Sequence, residues 1–208
     1  MDNQHQTLET LQDIKRIMER SSRFISLSGL SGVSAGICAL IGVYYSLIFL
    51  ENAKADNSNL DSLKFRFLVL ALIVLCAALM SAFYFTWRKA KRKGLPVWDR
   101  SSRYLLINLL IPLVTGALFV FALYLRNEFR YIAPACLIFY GLALVNASKY
   151  TLGDIRYVGI IDVLLGLSGM YFAYDGLLLW GIGFGVLHII YGLIMWWKYD
   201  WKRGKENA

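Results

Sequence analysis

Six apolar runs of roughly twenty residues decide what this chain can fold into. They are Phe24 to Leu50, Phe65 to Trp87, Tyr104 to Leu125, Tyr131 to Ser148, Tyr157 to Tyr174 and Leu177 to Trp197. Each is long enough to cross a ~30 Å hydrocarbon core as a helix rising ~1.5 Å per residue. Composition agrees: 58% of the 208 residues are hydrophobic and the mean hydropathy is +0.51, against ~45–50% apolar residues in an ordinary soluble domain. The expected fold is all-α, a polytopic membrane protein with six transmembrane helices arranged as three tandem helical hairpins. A cytoplasmic amphipathic helix over residues 1–23 would precede a transmembrane domain over 24–199 and a cytoplasmic tail over 200–208. Little chain is left outside lipid, which leaves no room for a soluble catalytic domain.

The formal charge of +8 does not indicate nucleic acid, because the cations sit at helix ends rather than along a folded face. It indicates orientation instead. One side collects Lys15, Arg16, Arg20, Arg23, Arg88, Lys89, Lys91, Arg92, Lys93, Arg100, Arg103, Lys149, Arg156, Lys198, Lys202, Arg203 and Lys205. The other holds only Lys54, Lys64, Arg66, Arg126 and Arg130, so the 22 basic residues divide 17 to 5. Positive loops stay inside, and both termini are therefore expected in the cytoplasm of a bacterial inner membrane. All six tryptophans fall at or just beyond predicted helix ends, where amphipathic rings prefer the interface. Cys38, Cys76 and Cys136 lie in three different spans without metal-site spacing, and no metal or cofactor is expected. The start does not read as a cleavable signal: twenty-odd polar residues precede a first span too long for an h-region.

Residues 7 to 23 carry Leu8, Leu11, Ile14, Ile17 and Met18 on one side of a helix and charges elsewhere. They predict a surface helix at the cytoplasmic face, its cations near anionic lipid, or a docking helix for a partner or second copy. In the first span Ser28, Gly32 and Gly36 form a small-residue face suited to close helix approach. The segment from Glu51 to Lys64 reads as a polar external loop, and Trp87 to Gly94 as a dense inner anchor.

A local repeat runs through the chain. Glu19-Arg20-Ser21-Ser22-Arg23-Phe24 matches Asp99-Arg100-Ser101-Ser102-Arg103-Tyr104, and Asp154-Ile155-Arg156-Tyr157 follows in phase. Thirteen residues beyond each arginine stands a glycine, at Gly36, Gly116 and Gly169. The even spans echo one another through Tyr140-Gly141-Leu142 and Tyr191-Gly192-Leu193. Three parallel hairpin repeats, over about 18–90, 98–150 and 154–199, account for this. The serines suit N-caps, and Arg23, Arg103 and Arg156 would snorkel to lipid phosphate. The third span carries Asn108 and Pro112, the latter a predicted kink.

In the last hairpin each apolar helix carries one ionisable residue within a stripe of small ones. Gly159, Asp162, Gly166, Gly169 and Ala173 share one helix face; Gly181, Gly185, His188 and Gly192 share another. Counting outward from the turn at Asp175-Gly176 puts Asp162 and His188 at similar depth, ~18–20 Å along each helix, and predicts that they face each other. An acid in a span costs ~2.5–3.5 kcal/mol on insertion scales, so Asp162 needs a reason to be there. Asn108, Asn146 and Tyr191 are the remaining polar candidates for a pocket with this pair.

Gly166-Leu167-Ser168-Gly169 resembles the GxSG nucleophile motif of rhomboid intramembrane proteases, and His188 would complete a dyad. Ser168, however, lies ~140° around the helix from the Asp162 stripe, Gly29-Leu30-Ser31-Gly32 repeats the tetrapeptide, and no oxyanion-hole counterpart is found. An intramembrane serine protease is therefore the remote alternative. Three tandem hairpins are also the plan of mitochondrial carriers, but the proline, acidic and basic signature closing each odd helix is absent. Met18-Glu19-Arg20-Ser21-Ser22-Arg23-Phe24-Ile25-Ser26-Leu27-Ser28-Gly29-Leu30 resembles the opening of a family of small six-span bacterial membrane proteins, a resemblance that implies topology and no activity.

The sequence thus predicts a non-enzymatic, membrane-embedded binding or interaction module with a buried Asp162/His188 pair. Its expected partners are the bilayer, with anionic lipid at the cytoplasmic face, and a protein or second copy. The alternative is a small-solute, proton- or cation-linked transporter or channel, since an imidazole near a carboxylate titrates close to physiological pH. A water-filled cleft uniting Asn108, Asn146, Asp162 and His188 would favour transport; a dry, packed pair would favour the module.

Overall fold

The computed structural model describes residues 28–55, 60–92, 94, 98, 100–172 and 175–201. The amphipathic segment at 7–23, Arg23 and the end of the tail lie outside the described residues. Helices and turns make up what is described, with no strand among them. In chain order the helices are α1 (Gly29–Ala55), α2 (Leu60–Arg92), α3 (Arg100–Leu125), α4 (Ile132–Ala147), α5 (Ile155–Tyr171) and α6 (residues 176–201). Five of them, α5 excepted, are long and apolar enough to cross a membrane, α4 together with its flanking 3₁₀ turns. With 17 residues, α5 is ~25 Å long.

Several helix boundaries differ from the sequence expectation. Most of the segment from Glu51 to Lys64, expected as a polar loop, is helical, because α1 continues to Ala55 and α2 already starts at Leu60. At its other end α2 runs on through Arg88, Lys89, Lys91 and Arg92, so the basic anchor is helical and α2 reaches 33 residues. Once a helix is nucleated each further residue adds a hydrogen bond, so polar residues extend it readily. Lys64 and Asp61, 3.0 Å apart at i,i+3, reinforce the new first turn. Ser101 and Ser102 are buried within the first turn of α3, which begins at Arg100, rather than capping it.

Between α3 and α4 the chain turns through a Schellman motif. Glu128 N–H donates to the Leu123 carbonyl (2.9 Å) and Asn127 N–H to that of Tyr124 (3.1 Å). This geometry needs a left-handed residue, supplied by Asn127 at φ 62°.

Packing sorts the helices into two groups of three. In one, α1 lies between α2 and α6; in the other, α4 lies between α3 and α5. Small residues explain both. Cβ atoms added at Gly32 and Gly192 would lie 3.2 Å from Gly192 Cα and 2.6 Å from the Gly29 carbonyl oxygen, so α1 and α6 meet backbone to backbone. Gly141 and Gly159 do the same for α4 and α5, each a would-be Cβ 2.5–2.6 Å from the other's carbonyl oxygen. Helices in an apolar solvent associate in this way, through close van der Waals approach rather than by hiding hydrophobic surface. The rest of the pattern fits: the buried apolar residues are mostly alanine, while large side chains such as Leu72, Leu79 and Phe83 of α2 stand exposed.

The glycine stripes of the last two helices therefore do not mate with each other. Gly166 and Gly169 of α5 pack on Ile138 and Pro134 of α4, whereas Gly185 of α6 packs on Leu40 of α1, and Gly181 on Val43. The two groups join where the first half of α6 leans on α4 and α5. At the far end of that seam Lys198 Nζ donates to Asp154 Oδ2 at 2.8 Å.

Candidate functional site

The seam between the groups holds the polar residues. Its backbone element is a π-helical stretch of α6, Gly181–Leu187. Such i→i+5 turns are rare, and they shift the phase of every residue that follows. Within it Gly183 brings bare backbone against α5 and α4: an added Cβ there would lie 2.6 Å from Asp162 Oδ1 and would also meet Leu137 Cδ2.

His188 opens the next α-helical segment and is buried, 7% exposed. Its Nδ1 is 2.8 Å from the Gly183 carbonyl oxygen and its Nε2 2.8 Å from the Tyr140 hydroxyl. A carbonyl only accepts, so Nδ1 carries the proton, and in the neutral ring Nε2 accepts from the Tyr140 O–H. Phe184 flanks both, its ring centroid 4.7 Å from that of Tyr140 and 5.9 Å from His188, with Trp180 continuing the stack at 4.8 Å. The imidazole is thus fully engaged by α4 and by its own helix.

Asp162 is 0% exposed, and among the described residues neither carboxyl oxygen has a hydrogen-bond partner. Tyr140 lies within electrostatic range of both Asp162 and Tyr191. The expected direct pair of Asp162 and His188 is therefore not formed. Both residues border Gly183, but Tyr140 reaches in from α4 and takes the imidazole nitrogen that an aspartate would need. A facing pair requires regular α-turns in α6 and a last hairpin packed along its whole length, and the π turn at Gly181–Leu187 and the two-group packing break both conditions.

Asn108 and Asn146 do not join this centre either. Asn146 Nδ2 donates to the backbone carbonyl of Asn108 at 2.8 Å, and Asn108 Nδ2 to that of Tyr104 at 2.8 Å. The first contact has a local cause. Pro112 has no N–H to give the carbonyl four residues before it, which is that of Asn108, and Asn146 supplies the missing donor from α4. Beside it, along α3 and α4, runs an open groove of about 470 Å³ that includes Pro112, Leu142, Asn146 and Lys149.

Other expected sites are placed as follows. Arg103 and Arg156 are exposed, and the Arg103 guanidinium sits 5.7 Å from the Trp98 ring centroid. Ser168 Oγ donates to the Leu165 carbonyl at 2.8 Å, so the serine and histidine of a protease dyad are engaged elsewhere. Gly36, Gly116 and Gly169, the repeat glycines, meet Gly185, Phe139 and Pro134 respectively. No group of three potential metal-ligating side chains occurs among the described residues.

No protein-family model, curated protein or solved structure matches the chain. Function has to be argued from this geometry.

Proposed function

We propose that this chain is a six-span integral protein of a bacterial inner membrane, built from three tandem hairpins with both termini cytoplasmic. In this reading it is a non-enzymatic interaction module, working through its lipid-facing and cytoplasmic surfaces on a protein partner or a second copy. The 17-to-5 division of its cations supports the orientation, and the resemblance of residues 18–30 supports the topology. A tilt smaller than that of its neighbours, or local thinning of the bilayer, accommodates the 17-residue α5.

One observation carries the module reading. The polar residues split into a seam where His188 and Asp162 are buried beside Tyr140 and a separate structural contact at Asn108 and Asn146. A solute pathway needs polar groups converging on a wet cleft, and these do not converge. The test is reconstitution into vesicles with an internal pH dye. Wild type and Asp162→Asn should show the same proton flux as empty vesicles under an imposed gradient.

A second reading, a proton- or cation-linked transporter, is favoured by the bare carboxyl of Asp162. A carboxylate without donor or counter-charge is expensive at such depth, so this reading gives it a proton or cation to carry. Flux above the empty-vesicle level that vanishes in Asp162→Asn would establish it and overturn the module.

A further inference from the structure

The groove between α3 and α4 has walls from both helices and a charged end. Pro112 and Thr115 line it from α3, and Phe139, Leu142 and Val145 from α4. Two of its polar wall groups already donate inside the protein: Thr115 Oγ1 to the Ile111 carbonyl at 2.9 Å and Asn146 Nδ2 to that of Asn108. What the groove chiefly offers an occupant is hydrocarbon along its length and one ammonium, Lys149, at its mouth. Lys149 is exposed and makes no ion pair among the described residues, whereas the neighbouring acid Asp154 is taken by Lys198.

The dimensions fit one class of molecule. From Phe139 to Lys149 the helix rises ~15 Å, about half of a ~30 Å hydrocarbon core, or one leaflet. Two contacts bracket the groove. Gly116 packs onto Phe139 at its deep end, and Asn146 holds Asn108 near its mouth. The mouth also lies at the end where Tyr104 stacks on Tyr150, 5.7 Å between centroids, which brings exposed Arg103 to the same level.

We propose that this groove binds one anionic phospholipid of the leaflet at the basic end of the helices, with an acyl chain along Leu142 and Val145 and the phosphate at Lys149. The assignment rests on the membrane reading above. It is specific to lipid because a cation at interface height, above an apolar trough one leaflet deep, complements a negative headgroup on a hydrocarbon tail.

The test places the full-length protein in nanodiscs containing phosphatidylglycerol or phosphatidylcholine with a photoactivatable acyl chain, and maps labelled residues by mass spectrometry. The glycerol lipid should label Leu142 and Val145 about fivefold more than the choline lipid, the factor expected for one cation near the surface. Lys149→Gln should remove that preference, and Leu142→Trp, a change at an exposed position, should displace the label with the melting temperature retained. Equal labelling by both lipids, or a preference that survives Lys149→Gln, would overturn the site. Exposed α2 residues such as Leu72 and Leu79 serve as the separate control. Labelled by both lipids alike, they uphold the membrane reading even if the groove fails; unlabelled by either, they bring down that reading and the site with it.

Discussion

Gly183 is the residue on which the seam turns, since its carbonyl accepts from His188 while its bare Cα lies against Asp162. Gly183→Ala should lower stability by ~1–3 kcal/mol, the usual cost of forcing atoms into a packed site, read as a drop in melting temperature in detergent. Tyr140→Phe keeps the ring stack but removes the donor to His188 Nε2, leaving a buried acceptor unmet, and should cost ~1–2 kcal/mol. Combined with His188→Gln the loss should be less than additive by ~1 kcal/mol, because the two changes delete one interaction. Additive losses would mean that the hydrogen bond contributes nothing. The burial of Asp162 and His188 is legible in the sequence, but the roles of Gly183 and Tyr140 are not. Gly183 lies off the Gly181, Gly185 and Gly192 stripe, and Tyr140 stood out only as an echo of Tyr191.

At the scale of elements, much more could be read in advance. Apolar run length locates all six helices, and small-residue periodicity identifies packing faces on α1, α5 and α6. Which face meets which was not accessible, because a glycine stripe accepts any complementary backbone; Gly159 meets Gly141, and Gly192 meets Gly29, for reasons of global assembly. Helix ends were misjudged where charged residues prolong α2, since hydropathy reports lipid compatibility rather than helicity. The Pro112 contact gives this level its own test. Asn146→Ala should cost ~1–3 kcal/mol by orphaning the Asn108 carbonyl. In a Pro112→Ala background, where residue 112 regains an N–H for that carbonyl, the same change should cost appreciably less. An equal cost in both backgrounds would show that Asn146 acts elsewhere.

As a whole, the described molecule is two glycine-packed groups of helices, α2–α1–α6 and α3–α4–α5, sharing an aromatic and polar seam in which Asp162 and His188 are buried. On the proposed reading, that burial separates an interaction module from a conduit. Replacing Gly32 or Gly192 by leucine should part α1 from α6 and abolish folding, whereas a leucine at the exposed Cys76 of α2 should be neutral within ~0.5 kcal/mol. The most direct test of that burial uses Asp162→Cys in a chain whose three native cysteines are replaced. A membrane-impermeant maleimide is applied from either side of intact membranes, with Lys149→Cys as the reactive control. The account predicts that position 162 stays unlabelled from both sides until the protein is unfolded. Labelling from one side in the folded protein would reveal a water path to Asp162 and contradict it.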